Sequence, residues 1–134
     1  NVVENKKLKL NILVVEDKPI NQKVAQLMLQ KIGHQSEIAN NGLQCLAKFE
    51  EGKYDIILMD VHMPEMNGIE ATQTIKKKFN NIPPIIGLSA NSMEGDAEKY
   101  VKLGFDDYLS KPITIEILES KINEQILLLQ KKTL

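Results

Sequence analysis

The sequence contains no arginine, so all 17 of its positively charged residues are lysines. Arginine supplies the bidentate contacts by which proteins read guanine and grip phosphate, and its absence weakens any DNA-reading hypothesis. The formal net charge is −1, which offers no overall field to attract a nucleic acid or an anionic membrane. We therefore expect no direct nucleic-acid partner and no direct membrane contact.

Long apolar runs and paired cysteines are also missing. No stretch approaches the ~20 apolar residues of a transmembrane helix, and we expect no secretory signal peptide. Cys45 is the single cysteine, so no internal disulfide can form, which is compatible with the cytosol. Its place in an apolar helical stretch predicts a small core residue rather than a reactive thiol. Because the chain starts at Asn1 rather than Met, we expect an excised piece of a longer protein.

Five short runs, most of them apolar, alternate with stretches of helical periodicity. The runs predict strands at 11–15, 35–39, 55–59, 85–88 and 107–109. The second strand is short and polar and is expected at an edge of the sheet. Helices are predicted over about 19–32, 42–51, 68–78 and 94–103, and from 115 onward. This alternation predicts an α/β domain with a doubly wound, five-stranded parallel sheet of order 2-1-3-4-5, the flavodoxin-like (βα)5 architecture.

Apolar side chains at helical spacing predict which helix faces pack on the sheet. In the first helix these are Ile20, Val24, Leu27, Met28 and Ile32. In the second they are Leu43, Leu46, Ala47 and Phe49. In the last they are Ile117, Leu118, Ile122, Ile126 and Leu129. With residues 1–9 as a polar linker and 131–134 as a tail, the domain itself is expected to span 10–130.

Side chains suited to phosphate chemistry follow four of the predicted strands. They are Glu16 and Asp17 after the first strand, Asp60 after the third, Ser89 after the fourth and Lys111 after the fifth. Because parallel strands end at one edge of the sheet, we expect these groups to lie together at the switch point. Three neighbouring carboxylates repel one another unless a cation or protons neutralise them. Such hard oxygen donors suit Mg²⁺, or Mn²⁺, with a phosphoryl oxygen completing its ligands.

The same groups suit phosphoryl transfer. A carboxylate can attack phosphorus and form an aspartyl phosphate. Asp60 is the candidate nucleophile, since it lies too far ahead of the next helix to cap it. Lys111 offers a cation, and Ser89 a hydroxyl donor, for the phosphoryl oxygens, and such transfer requires little beyond positioning and charge neutralisation. Asp17, just before Pro19, has the alternative role of capping the first helix.

Over residues 10–129 the sequence resembles the receiver domains of two-component response regulators. The resemblance rests on four motifs taken together, in this order and at this spacing. They are Val15-Glu16-Asp17, the segment MDVHMPEMNG at 59–68, Leu88-Ser89-Ala90 and the segment YLSKP at 108–112.

The resemblance implies a role for each residue of the phosphoryl site. Asp60 would accept a phosphoryl group from a phosphohistidine, and Ser89 and Lys111 would contact that group. Ser89 replaces a frequent Thr and keeps the hydroxyl. Tyr108 would serve as the aromatic switch residue of the family. The Lys111-Pro112 peptide bond would be cis.

For the metal, the resemblance implies Mg²⁺ held by the side chains of Glu16, Asp17 and Asp60 and by the backbone carbonyl of His62. Glu16 stands where many family members have Asp, and its longer side chain is compatible with binding the metal through water. His62 and Asn91 occupy positions that vary in the family and tune the lifetime of the acyl phosphate.

Other functions and other roles of single residues stay open. An aspartyl-phosphate phosphohydrolase would need a second acid two residues after the nucleophile, where this chain has His62. A flavin or nucleotide binder would need a phosphate cradle after the first strand, where the acidic turn 16–19 repels phosphate. Tyr108 has the alternative of plain packing with its hydroxyl at the surface. His34 and His62 have no partners at zinc-ligand spacing.

The segment 17–25 and the 88–91 loop resemble receivers of hybrid histidine kinases, which pass phosphate to a histidine phosphotransfer protein. We therefore expect a cytoplasmic domain of such a kinase, membrane-bound or not, that is a monomer or a weak dimer. Its expected partner is a phosphohistidine domain of a histidine kinase or a histidine phosphotransfer protein. The isolated domain would be no enzyme beyond its own phosphotransfer to Asp60. A stand-alone receiver, or a response regulator without its output domain, is the alternative parent.

Overall fold

The structure is a computed structural model that describes residues 9–90 and 95–133. Its strands are β1 (Asn11–Val15), β2 (Gln35–Ala39), β3 (Ile56–Asp60), β4 (Ile85–Ser89) and β5 (Asp107–Ser110). They pair in parallel in the order β2-β1-β3-β4-β5. The predicted fold is confirmed, with β2 at an edge. Strands β3, β4 and β5 each reach one residue further toward the carboxyl edge than predicted.

Five helices alternate with these strands. They are α1 (Pro19–Ile32), α2 (Gly42–Lys48), α3 (Gly68–Lys78), α4 (Asp96–Lys102) and α5 (Ile115–Thr133). Helix α1 begins at Pro19 and is capped at its carboxyl end by Gly33, whose φ of 107° lies in the left-handed region that glycine tolerates. The hydroxyl of Thr114 accepts the backbone N–H of Ile117 at 3.3 Å, so Thr114 caps α5. Helix α5 runs through most of the segment that we predict to be a tail.

Alternating strand residues bury two apolar layers, one on each face of the sheet. On one face Ile12 and Val14 pack with residues of α1 and α5, and on the other Leu13 and Val15 pack with residues of α2, α3 and α4. All four side chains are completely buried, as expected for a parallel sheet covered on both faces. The two layers fix the strand ends that carry the site.

The predicted inner face of α1 is partly wrong. Ile20, Val24 and Leu27 are 78%, 44% and 55% exposed. The sheet instead packs against the neighbouring stripe, which contains Ala25 and Leu29. Both stripes have helical spacing, so periodicity alone does not decide which one faces the sheet. Helix α1 is therefore left with an apolar outer stripe.

The predicted inner faces of α2 and α5 are too wide. Leu43 and Ala47 on α2, and Ile117 and Leu129 on α5, are exposed. A helix that lies on a sheet buries a limited stripe, and apolar residues at its margins stay in contact with water. Cys45 is completely buried, as predicted, and burial raises the pKa of its thiol to about 12.

Some predictions lie outside the described residues. They concern residues 1–8 of the linker, the start of the fourth helix near 94, Leu134 and Asn91. Among the helices within the described ranges, none has the length and apolarity that crossing a membrane requires.

His34 anchors the start of β1 through a ring nitrogen. Its Nδ1 accepts the backbone N–H of Leu10 at 3.2 Å, which it can do only while that nitrogen is unprotonated. Burial lowers the pKa of His34, and the negative charges of Glu119 and Asp55 oppose this shift without cancelling it. Folding therefore disfavours the protonated imidazole.

We predict that the free energy of unfolding falls as the pH drops below about 6.5, because the unfolded chain then binds a proton at His34 that the folded chain resists. The contribution of His34 to the free energy of unfolding is complete above that pH. It is lost as the pH falls through the lower pKa that His34 has in the folded state. Urea unfolding between about pH 7.5 and 5.5 measures the slope. His34→Gln should flatten it and His62→Gln, at an exposed position, should not. An unchanged slope in His34→Gln would contradict this assignment.

Candidate functional site

The carboxyl edge of the sheet brings together the five residues that the sequence predicts for the site. Glu16 and Asp17 directly follow β1, Asp60 and Ser89 are the last residues of β3 and β4, and Lys111 follows β5. Because β1 lies beside β3, and β3 beside β4, groups that are far apart in the sequence end at one edge. The site therefore lies at the switch point of the sheet.

Three carboxylates form the centre of the site. One oxygen from each of Glu16, Asp17 and Asp60 lies within 4.8 Å of the other two. Glu16 is 2% and Asp60 is 5% exposed, and Asp17 is half-buried. Like charges at this spacing and away from bulk water repel one another strongly. The cluster therefore favours a compensating cation.

Lys111 supplies a positive charge to two of these carboxylates. Its Nζ donates to Glu16 Oε1 at 3.0 Å and to Asp60 Oδ2 at 3.1 Å, and its peptide bond to Pro112 is cis, as predicted. Burial lowers the pKa of Lys111, but the hydrogen bonds and charges of Glu16 and Asp60 outweigh burial, and the pKa is raised overall. One ammonium group thus faces three carboxylates, and the cluster still favours a further cation.

Asp17 differs from the other two acids in its hydrogen bonding. Glu16 Oε2 accepts the backbone N–H of Lys18 at 3.0 Å, and Asp60 Oδ1 accepts that of His62 at 3.1 Å. Asp17 Oδ1 is buried and has no hydrogen-bond partner within the described ranges. The alternative role of Asp17 as a helix cap is wrong, because Lys18 is the N-cap residue of α1 and no side-chain capping bond is made there. A buried unpaired oxygen is costly, and a cation at this position removes the cost.

Two glycines set the path of the loop that follows Asp60. A Cβ atom on Gly68 would lie 2.2 Å from the carbonyl oxygen of Asp60, and one on Gly42 would lie 2.6 Å from that of Met66. Only glycine allows such approaches. The loop, which carries the His62 carbonyl, is therefore held between α2 and the end of β3.

Ser89 and Tyr108 both bury hydroxyl groups that lack a hydrogen-bond partner in the part of the chain that the structure describes. The ring of Tyr108 stacks on Tyr100 of α4, with centroids 4.9 Å apart and planes at 25°. The alternative that places the Tyr108 hydroxyl at the surface is therefore wrong. Each unpaired hydroxyl is a donor available to an incoming acceptor.

Gln22, near the start of α1, also contacts the acidic turn, although no motif marks it. Its Nε2 donates to the backbone carbonyl of Glu16 at 2.7 Å. A glutamine at the start of a helix is usually a solvated side chain. The one sequence signal that could have drawn attention to it is its place in the segment 17–25, which resembles hybrid-kinase receivers.

Comparison with known proteins agrees with this geometry. Residues 12–123 match the response regulator receiver domain family over most of the chain. The chain belongs to this family. The matched span contains the acidic turn, Asp60, Ser89 and Lys111, so the receiver domain includes every residue of the cluster described above.

This receiver domain is similar to parts of several signalling proteins. It is 35% identical over 117 residues to the aerobic respiration control sensor protein ArcB of Escherichia coli K12. That match covers 86% of this chain and 15% of ArcB. It is 37% identical, with a TM-score of 0.79, to the receiver domain of a sensor histidine kinase from Pseudomonas aeruginosa PAO1, in whose active-site cleft a magnesium ion is coordinated. That match covers 89% of this chain and 98% of the other.

A further solved structure includes a partner. It is the complex of the Saccharomyces cerevisiae histidine phosphotransfer protein Ypd1 with the receiver domain of its downstream response regulator Ssk1. The matched chain has 31% identity and a TM-score of 0.78, covering 90% of this chain and 91% of that one. In that complex a receiver domain is paired with a histidine phosphotransfer protein.

We predict opposite effects on stability from two substitutions in the cluster. Lys111→Met removes the cation from two buried carboxylates and should lower the free energy of unfolding by about 3 kcal/mol in EDTA. Asp60→Asn removes one of three mutually repelling charges and should raise that free energy or leave it unchanged. Urea unfolding of the two variants and the wild-type chain measures both effects. Equal destabilisation by the two substitutions would contradict net repulsion among the carboxylates.

Proposed function

We propose that this receiver domain accepts a phosphoryl group on Asp60 from a phosphohistidine of a partner protein. The observation that carries the proposal is the environment of the Asp60 carboxylate. It is almost fully buried, bonded to a lysine and clustered with two further acids at the switch point of the sheet. A purely structural aspartate has no use for two acidic neighbours, whereas phosphoryl transfer uses all of these groups.

Mg²⁺, or Mn²⁺ in its place, binds in this proposal at Glu16, Asp17, Asp60 and the backbone carbonyl of His62. Three carboxylate oxygens within 4.8 Å of one another form a hard donor set that suits either ion. The buried Oδ1 of Asp17, which has no hydrogen-bond partner among the residues that the structure describes, is an oxygen in need of a cation. The similar Pseudomonas receiver coordinates magnesium in its active-site cleft. When bound, the ion neutralises charge on the carboxylates and on the phosphoryl oxygens.

The residues of the chain supply the other parts of the transfer. A carboxylate oxygen of Asp60 attacks phosphorus, the O–P bond forms, and the P–N bond breaks. The electron pair of the P–N bond stays on the ring nitrogen of the partner's histidine. The imidazole ring leaves in its neutral form, because its other nitrogen carries a proton. Lys111, whose Nζ lies 3.1 Å from Asp60 Oδ2, contacts one phosphoryl oxygen, and the Ser89 hydroxyl donates to another.

The response to phosphorylation runs, in this proposal, through Ser89 and Tyr108. Both hydroxyls are buried and unpaired within the described ranges, so a new acceptor beside Ser89 changes the local hydrogen bonding. Tyr108 packs on Tyr100, so a shift at the end of β4 reaches the surface formed by α4 and β5. The phosphoryl group moves this equilibrium only as far as it favours one conformation over the other.

Other activities have less support. A phosphohydrolase needs a second carboxylate two residues beyond the nucleophile, and His62 stands there with an exposed side chain. A flavin or nucleotide binder needs free backbone donors after β1, but the N–H of Lys18 is already bonded to Glu16. In this proposal the isolated domain performs no reaction beyond phosphotransfer to Asp60.

The parent protein in this proposal is a hybrid histidine kinase. The chain spans 15% of the length of ArcB, a sensor protein, and matches nearly the whole receiver of the Pseudomonas sensor histidine kinase. Its partner is then a phosphohistidine-bearing kinase domain or a histidine phosphotransfer protein, the class to which Ypd1 belongs. A stand-alone receiver is the alternative parent.

The docking face for that partner is the outer stripe of α1 together with the groove beside it. Ile20 and Val24 are exposed on this stripe. A groove of about 410 Å³ between α1 and the start of α5 is lined mostly by apolar side chains, and Glu16 and Lys111 also line it. A helix bound over this groove lies next to the acidic cluster and can present a phosphohistidine there.

We predict that incubation with Mg²⁺ and a small-molecule phosphodonor adds one phosphoryl group to the intact domain. Asp60→Asn should abolish the addition because it removes the nucleophile, and EDTA should abolish it in the wild-type chain. Intact-mass spectrometry measures the product. Asp55→Asn is the control, since Asp55 accepts the backbone N–H of Asn11 at the opposite edge of the sheet. Normal phosphorylation of Asp60→Asn would contradict the assignment.

We predict that Ile20→Asp slows phosphotransfer from a phosphorylated histidine phosphotransfer protein by about tenfold or more, because it puts a charge into an apolar contact. Phosphorylation by the small-molecule donor should be unchanged, since no docking is needed. Leu43→Asp, at an exposed leucine of α2 on the other side of the sheet, is the matched control. Equal rates for Ile20→Asp and Leu43→Asp would remove α1 from the docking face.

A further inference from the structure

The side-chain amide of Gln22 joins two strand ends at the rim of the acidic cluster. Its Nε2 donates to the backbone carbonyl of Glu16 at 2.7 Å and to Asn40 Oδ1 at 2.8 Å. Glu16 follows β1 and Asn40 follows β2. Both hydrogens of the amide are therefore used, each on a different loop at the carboxyl edge.

The carbonyl that Gln22 contacts belongs to the peptide group between Glu16 and Asp17. A peptide group is planar, so its oxygen and the two flanking Cα atoms lie in one plane. A hydrogen bond that fixes the oxygen fixes the orientation of this plane, and with it the directions in which the two side chains leave the backbone. Gln22 thus acts on both acids at once without touching either carboxylate.

The contact continues as a chain of hydrogen bonds toward the loop after Asp60. Gln44 Oε1 accepts the backbone N–H of Asn40 at 2.8 Å, and Asn41 Oδ1 accepts that of Gln44 at 2.9 Å. Asn41 Nδ2 then donates to Glu65 Oε2 at 3.4 Å. The β1–α1 turn and the β3–α3 loop are therefore linked around the outside of the site.

We propose that Gln22 is a positioning residue for the divalent-metal site, which it serves by orienting the Glu16–Asp17 peptide group. The inference rests on the proposed function, because it assumes that these acids bind Mg²⁺. Groups that orient metal ligands commonly change metal affinity by about tenfold or more when they are removed. Gln22 differs from a helix-capping or surface glutamine in that its effect falls on metal binding.

The test compares Gln22→Met with Gln44→Met. Methionine keeps the length of glutamine and removes both donors, and Gln44 contacts the same Asn40 loop without reaching Glu16. Isothermal titration calorimetry with MgCl₂ is expected to show a Kd about tenfold weaker for Gln22→Met and close to wild type for Gln44→Met. At saturating Mg²⁺ the rate of phosphorylation by a small-molecule donor should return to near wild type, because only metal affinity is changed.

Three results would overturn the inference. They are an unchanged Mg²⁺ affinity in Gln22→Met, an equal loss in Gln44→Met, and a rate that stays low at saturating Mg²⁺. Thermal unfolding in EDTA checks that the variants fold, and Gln22→Ala, which needs no repacking, replaces Gln22→Met if that variant does not. A wild-type chain that binds no Mg²⁺ would overturn the proposed function as well, whereas the other results leave it standing.

Discussion

Mutual repulsion among three carboxylates is the constraint on which the site depends. Oxygens of Glu16, Asp17 and Asp60 lie within 4.8 Å of one another, and two of these residues are almost fully buried. Two unit charges at that spacing repel by about 3 kcal/mol at the effective dielectric of a protein. Lys111 offsets part of this energy, and the rest is available to a divalent cation. In the proposed function, the same excess of negative charge that costs stability gives the site its affinity for metal and, through metal, for a phosphoryl group.

Repelling carboxylates stay close together only where a rigid backbone prevents them from moving apart. The sheet provides such a backbone, because β1 and β3 are buried on both faces and end side by side. Backbone contacts then position two of the three acids. Lys18 and His62 donate N–H groups to Glu16 and Asp60, and Gly68 permits the approach of α3 to the end of β3. The positions of the acids at the carboxyl edge are thus a consequence of how the strands pack in the core.

The sequence was enough to predict where the strands end, but not which face of each helix packs on the sheet. A strand buried on both faces needs an unbroken apolar run, so the runs that lead to Glu16 and Asp60 located their strand ends to within one residue. Helix α1 carries two apolar stripes. The stripe that contains Leu29 packs on the sheet, and the stripe that contains Val24 is exposed to solvent. That choice depends on how the helix lies on the sheet, which periodicity does not encode. The contact of Gln22 with the acidic turn likewise depends on a distance that exists only in the folded chain.

The free energy of unfolding as a function of Mg²⁺ concentration tests most directly whether uncompensated carboxylate charge governs the site. With one site that forms only in the folded chain, the wild-type value should rise by about 1.4 kcal/mol for each tenfold increase in Mg²⁺ above the Kd. Asp17→Asn, which removes the acid whose buried oxygen has no partner in the described part of the chain, should flatten that rise. A wild-type stability that is independent of Mg²⁺, or a rise that is unaltered in Asp17→Asn, would contradict the role assigned to the cluster.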